Sequence, residues 1–204
     1  MKKEKATKKK SLYKLKKDFI PLKKSRHFLI YFLVLLLFTF ICLWYNFIYL
    51  KEDISLSKSS HIENIEKIEL EQRIREMVAG HPIEEMIPYI MEHDQIVSIF
   101  LVSIAKKESN WGKRTPKYKG KECFNYWGYR GPNTLGSGGH SCFASREEAV
   151  AIVAKRITYL VKQGIDTPKE MIVWKCGSSC RTHSSYSVRK WISDVDLYFQ
   201  KLSK

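Results

Sequence analysis

From Phe28 to Leu50 the chain reads FLIYFLVLLLFTFICLWYNFIYL, 23 residues without a charge. As a helix this stretch is about 35 Å long, which crosses a hydrocarbon core of about 30 Å with some tilt. Trp44, Tyr45 and Tyr49 gather toward its far end, where amphipathic rings sit at a membrane–water interface. A cleaved signal peptide is the competing explanation. Its apolar region usually runs about 7–15 residues and leads into a small-residue cleavage site. Here Lys51-Glu52-Asp53 follows instead. Residues 28–50 therefore read as a transmembrane signal anchor.

Charge orients that anchor. The 204-residue chain carries a net charge of +15, and residues 1–26 hold twelve Lys/Arg against Glu4 and Asp18 alone. A basic run beside an apolar span is first a topology signal, because Lys and Arg stay on the cytoplasmic side. Residues 1–27 are thus expected in the cytoplasm and everything after residue 51 on the far side of the cytoplasmic membrane, in a single pass. A nucleic-acid arm is the alternative, but the downstream aromatics do not interleave with a basic run. Nucleic acid is not an expected partner.

The cysteines agree with export. Cys42 lies in the span as apolar filling, while Cys123, Cys142, Cys176 and Cys180 form an even set beyond it, where disulfides persist. Of the three connectivities, Cys123–Cys142 with Cys176–Cys180 is favoured, since each closes a local segment. The rival is a zinc site completed by His140 or His183. It lacks a C-x2-C pair, so no metal and no cofactor are expected.

Residues 51–80 are charged and helix-prone, with Ile62, Ile65, Ile68 and Ile74 in a loose apolar stripe. They read as a helical stalk or linker with too few apolar positions for a core, leaving weak self-association open. Gly80-His81-Pro82 then punctuates the chain, and residues 81–204 read as one extracytoplasmic domain. Pro82 opens a short helix toward His93, kinked or broken at Pro88. Asp94 can cap Gln95 to about Asn110. Ser145-Arg-Glu-Glu148 is a capping box for a helix to Gln163, closed by Gly164. Thr167-Pro-Lys-Glu170 repeats the device for a shorter helix toward Trp174. The last helix has Val188, Trp191, Ile192, Val195, Phe199 and Leu202 at helical spacing, a buried face.

No strand alternation stands out, so the fold class is mainly α, with one long irregular loop from Trp111 to Phe143. Loops of that length in a compact domain are usually functional. This one holds Trp111, Tyr118, Phe124, Tyr126, Trp127 and Tyr129, followed by a Gly/Ser-rich run. Such rings suit stacking on sugars, or they fill the loop's own small core; for Phe124 the second reading is preferred.

The most pointed feature is a carboxyl group. Apolar residues surround the helix after Asp94 almost completely, which marks it as central. Val97, Leu101 and Ile104 form one stripe, and one more step of four reaches Glu108. An acid carried out of a core at a helix end is what general-acid cleavage of a glycosidic bond requires. The plain alternative is a surface glutamate flanked by Lys106 and Lys107.

The string Ile104-Ala-Lys-Lys-Glu108-Ser-Asn-Trp-Gly112, with Asn125-Tyr-Trp-Gly-Tyr129 and Phe143-Ala-Ser-Arg-Glu-Glu-Ala149, resembles the lysozyme-like superfamily. It is closest to glucosaminidase and soluble lytic transglycosylase-type domains, over roughly residues 84–165. The resemblance implies a lysozyme-like α-helical domain that cleaves β-1,4 links between the amino sugars of peptidoglycan glycan strands. Glu108 would be the acid, Ser109 would orient it or cap its turn, and Trp111, Asn125, Tyr126, Trp127 and Tyr129 would line the glycan cleft. Glycosidases normally pair two carboxylates, and no second one is evident. Glu147 and Glu148 suit capping, Glu122 lies among lysines, and Asp166 precedes a helix. Transglycosylase-type families manage with one glutamate helped by the substrate's own groups. A non-catalytic glycan-binding or scaffold module using the same cleft is the alternative.

Overall fold

The structure, a computed structural model, describes residues 26–204, and only the backbone of residues 26, 52–57, 59 and 60. The basic tail lies outside the described residues apart from Arg26 and His27. The chain divides into two units, one ending at Ser57 and the other running from Lys58 to Lys204.

In the first unit, His27–Lys51 is long and apolar enough to cross a membrane, the one such helix among the described residues. It belongs to helix α1 (Arg26–Val78). Its side chains from Phe28 to Leu50 are exposed throughout, so none of the described residues covers this apolar surface. A helix in lipid must satisfy its polar groups internally. Thr39 does so by donating to the Leu36 carbonyl at 2.9 Å, and Asn46 by donating to that of Cys42 at 2.8 Å.

The second unit corrects the expected start of the domain. Ile62, Ile65 and Ile68 are exposed, as a stalk would have them, but Leu70, Ile74 and Val78 are buried in the core. The core thus begins about ten residues before Gly80. These three positions follow each other by steps of four, one narrow helical stripe, which suffices because the remaining core wall comes from other helices. Arg73 clasps the other end of the chain, donating to the Leu202 carbonyl at 3.3 Å.

After Gly80 the chain forms a 3-10 turn at Pro82–Met86 and then the short helix α2 (Ile87–Ile90). The helix expected to reach His93 is therefore two pieces. Pro88, without an N–H, sits in the first turn of α2 rather than within one longer helix. Helix α3 (Gln95–Ser109) follows, and all residues from Val97 to Ala105 are buried. It packs against α4 (Arg146–Lys162) and α6 (Ser185–Leu202). Phe100 of α3 meets Phe199 of α6 at a centroid distance of 4.7 Å.

Of the three cap residues expected from the sequence, Ser145 and Thr167 form their bonds and Asp94 does not. Ser145 accepts from the Glu148 N–H, and Glu148 reaches back to the Ala144 N–H. Thr167 and Glu170 exchange hydrogen bonds ahead of a 3-10 turn (Glu170–Ile172) and the short α5 (Val173–Cys176). Ser184 caps α6. Asp94 precedes α3 without a side-chain cap bond.

Between α3 and α4 lies the long loop. It contains a two-residue antiparallel hairpin, β1 (Lys117–Tyr118) with β2 (Lys121–Glu122), which the sequence pattern did not reveal. Strands of two residues are too short to alternate. Disulfides join Cys123 to Cys142 and Cys176 to Cys180, in the expected pairing. The first ties the middle of the loop to its far end and constrains the unfolded chain by about 3 kcal/mol in a loop-entropy estimate.

Candidate active site

Three buried side chains on α3, Val97, Leu101 and Ile104, lead by helical steps to Glu108, which is partly buried in the last turn. The helix must stop there. Asn110 adopts the left-handed conformation and its N–H returns to the Ala105 and Lys106 carbonyls. Ser109 tightens the same turn, since its hydroxyl donates to the Ala105 carbonyl and accepts from the Gly112 N–H at 2.8 Å. Buried at 2 % exposure, Ser109 caps the turn that presents Glu108.

The two carboxylate oxygens of Glu108 face different surroundings. Oε1 accepts a hydrogen bond of 2.6 Å from the indole N–H of Trp191, a fully buried residue of α6. Oε2 faces Gly128, and a Cβ added to that glycine would lie 3.2 Å from it. Gly128 also has φ +62°, a conformation that costs residues with a Cβ about 1 kcal/mol or more. This one position thus needs glycine for both its backbone and its neighbour.

Glu108 borders two cavities. The first, of about 340 Å³, is also lined by Gly128, Tyr129, Arg130, His140, Arg156, Trp174 and Lys175. The second, of about 300 Å³, has Ser109, Arg114, Asn125, Gly128, Ser137 and His140 among its walls. Among the described residues, Glu108 is the one carboxylate lining either of them. The remaining charged side chains there are basic. The two cavities therefore share one carboxyl group, and the other charged side chains lining them are cationic.

The aromatic residues divide differently from the sequence expectation. Tyr129 does line the first cavity, with its ring 5.8 Å from that of Trp174 and 6.3 Å from that of Phe143. Trp111 is instead buried; its indole donates to the Val102 carbonyl and its ring meets those of His81 and Tyr198 edge-on. Tyr126 is fully buried, and burial, with Glu122 beside it, pushes its hydroxyl far above the ordinary tyrosine pKa. Trp127 is fully buried too and donates to the Leu101 carbonyl at 2.7 Å. Asn125 acts as a staple. Its amide donates to the carbonyls of Tyr129 and Ser141, and its carbonyl oxygen accepts from the Tyr129 N–H. Trp111 and Tyr126 line neither cavity and hold the wall from behind, whereas Trp127 also lines the first cavity and Asn125 the second. Phe124 packs against the core with the Arg146 guanidinium 4.8 Å from its ring, as loop filling.

Several site residues carried no signal in the sequence. Arg130, Arg156 and Lys175 come from the loop, α4 and α5, and nothing in their local pattern relates them. Trp174 was visible only as the end of a short helix; here its indole donates to the Trp127 carbonyl at 2.9 Å and its ring faces the cavity. Trp191 was legible as buried. A buried indole N–H requires an acceptor, but its partner lies 83 residues away. The disulfides use up the thiols that the zinc alternative needed, and the described residues hold no group of three His, Cys, Asp or Glu suited to a metal ion.

No protein-family model, curated protein or solved structure matches this chain.

Proposed function

We propose that this protein is a membrane-anchored enzyme that cleaves β-1,4 links between amino sugars of peptidoglycan, with Glu108 as its single general acid. The observation that carries the reading is the setting of Glu108, a lone carboxyl group at the end of a buried helix, between two cavities. The proposed fold is a lysozyme-like helical domain, supported by the ordered Glu-Ser, Asn-x-x-Gly and Ser-capped-helix segments around that group. The basic N-terminal tail, the apolar helix and the two disulfides support an orientation with the tail in the cytoplasm and the domain outside. Such an anchor keeps the enzyme on the side of the membrane where peptidoglycan lies.

The chemistry follows from the two oxygens. With the carboxyl protonated, Trp191 N–H donates to Oε1 as the carbonyl oxygen, and the proton resides on Oε2. Oε2 protonates the bridging oxygen as the C1–O bond breaks, and positive charge develops on the sugar. The carboxylate left behind then takes a proton from the nucleophile. That nucleophile is water, giving a reducing end, or a hydroxyl of the same sugar, giving an anhydro end. The absence of a second carboxylate from the lining of both cavities favours participation by the substrate's own groups.

Glu108→Gln keeps the shape and loses the proton. Release of soluble muropeptides from purified sacculi should fall by about 10²–10⁴-fold. Unchanged release would overturn the enzyme reading, and retained sacculus binding without any cleavage by the wild-type protein would mark a glycan-binding module. Mass analysis of the products separates anhydro from reducing ends.

A further inference from the structure

The two cavities beside Glu108 have three lining residues in common: Glu108, Gly128 and His140. A substrate that reaches from one cavity into the other passes these three. Gly128 leaves the space, and the other two bring a carboxyl group and an imidazole to the same crossing. An imidazole is the side chain whose ordinary titration lets it take and give up a proton near neutral pH.

The Gly/Ser-rich run before His140 is shaped around that ring. The Gly136 N–H donates to the His140 carbonyl at 2.9 Å, closing a tight turn in which Gly138 has φ +71° and Gly139 φ +74°. A Cβ on Gly138 would come within 3.2 Å of His140 Nδ1, so glycine there leaves room for the half-buried ring. Just beyond it, the Ser141 N–H donates to the Tyr129 carbonyl and Cys142 is tied to Cys123. Nδ1 itself lies 2.8 Å from the Ser137 carbonyl oxygen. A carbonyl can only accept, so Nδ1 carries the hydrogen and the neutral ring keeps its lone pair on Nε2. The turn thus fixes both the ring and its tautomer.

We propose that, in the cleavage assigned to Glu108, on which this role rests, His140 Nε2 is the group that takes the proton of the nucleophile. Glu108 Oε2 gives its proton to the bridging oxygen as the C1–O bond breaks. The nucleophile's oxygen then bonds to C1 while its proton moves to Nε2, leaving an imidazolium. That proton passes on to the Glu108 carboxylate, which restores both the acid and the neutral imidazole. Of the other charged side chains lining the two cavities, Arg114, Arg130, Arg156 and Lys175 are cations, so Glu108 is the one that can receive it. His140 in this role supplies the second proton-transfer group that a lone carboxyl group lacks.

The test uses full-length protein in neutral detergent and reads the release of soluble muropeptides from sacculi. His140→Ala should lower turnover at saturating sacculi by about 10²–10⁴-fold, with little change in the half-saturating amount. His140→Gln keeps a polar side chain that takes no proton, and it should be similarly slow. Added imidazole should speed His140→Ala by about tenfold or more, whereas pyrazole, of similar shape and far weaker basicity, should not. Imidazole should leave Glu108→Gln inactive. Slow cleavage by His140→Ala without rescue would make the residue structural and overturn the role. Wild-type rates in either His140 variant, with Glu108→Gln inactive, would overturn it too while leaving the Glu108 chemistry intact. No cleavage by the wild-type protein would overturn both.

Discussion

Helix α6 and the loop between α3 and α4 are comparably rich in aromatic residues, and they use them in different ways. In α6, Trp191, Val195 and Leu202 recur on one face and are buried, while Tyr186 and Leu197 on other faces are exposed. In the loop, Trp111, Tyr126 and Trp127 are buried although no period relates them. A helix determines which side chains share a face from its own geometry. A loop has no repeat, so each ring goes where a long-range contact takes it. The lesson is that the loop acts as part of the core, and its aromatics position the cleft more than they line it. To the two cavities beside Glu108 the loop contributes Trp127, Gly128, Tyr129, Arg130 and His140 on one side and Arg114, Asn125 and Ser137 on the other.

That contrast can be broken by substitution. Trp127→Ala should have the largest effect on stability, about 3–5 kcal/mol, because it empties a fully buried site beside α3 and frees the Leu101 carbonyl. Urea unfolding measures this. A loss below about 1 kcal/mol would mean that the loop is a mobile cleft wall after all.

Trp191→Phe comes next and sharpens the other half of the comparison. It keeps a ring in the buried face of α6 and removes the donor to Glu108 Oε1. A hydrogen bond to a charged group is worth about 1.5–3 kcal/mol, so sacculus cleavage should fall by roughly tenfold to a hundredfold. The fold, followed by circular dichroism, should persist. Equal cleavage by wild type and variant would remove Trp191 from the positioning of the acid.

A helix device should matter less. Ser145→Ala deletes the cap of α4 and should cost about 1 kcal/mol, read as a lower unfolding midpoint with unaltered cleavage products. The smallest effect concerns Asp194 of α6, which pairs with Lys107 and Lys190. Burial pushes its carboxyl up, but the hydrogen bonds and charges of the two lysines together outweigh that and hold it below the ordinary value. A depressed folded-state pKa gives stability that is present above the unfolded value, about 3.9, and is lost as pH falls through the folded one. Asp194→Asn should therefore cost about 0.5 kcal/mol near pH 7, in the range of exposed pairs. The difference from wild type should fade as pH falls through the depressed folded-state value. A gap that persists in acid would assign the effect to packing.

Much of the frame was legible from residue order. The uncharged run from Phe28 to Leu50 specifies a helix able to cross a membrane, since length and apolarity are local properties. Capping residues marked the start of α4 and of the turn after Thr167, because a cap bonds within four residues. Even the cysteine pairing followed from locality. Helical steps from Val97 also picked out Glu108 before any contact was known. Tertiary structure alone decided the rest. It drew Leu70, Ile74 and Val78 into the core, buried Trp111, Tyr126 and Trp127, and made Asn125 a staple of the loop. It also brought Trp191, Arg156 and Lys175 to the glutamate from three separate helices. Those outcomes depend on which distant surfaces meet, and spacing along a chain encodes only neighbours along one element.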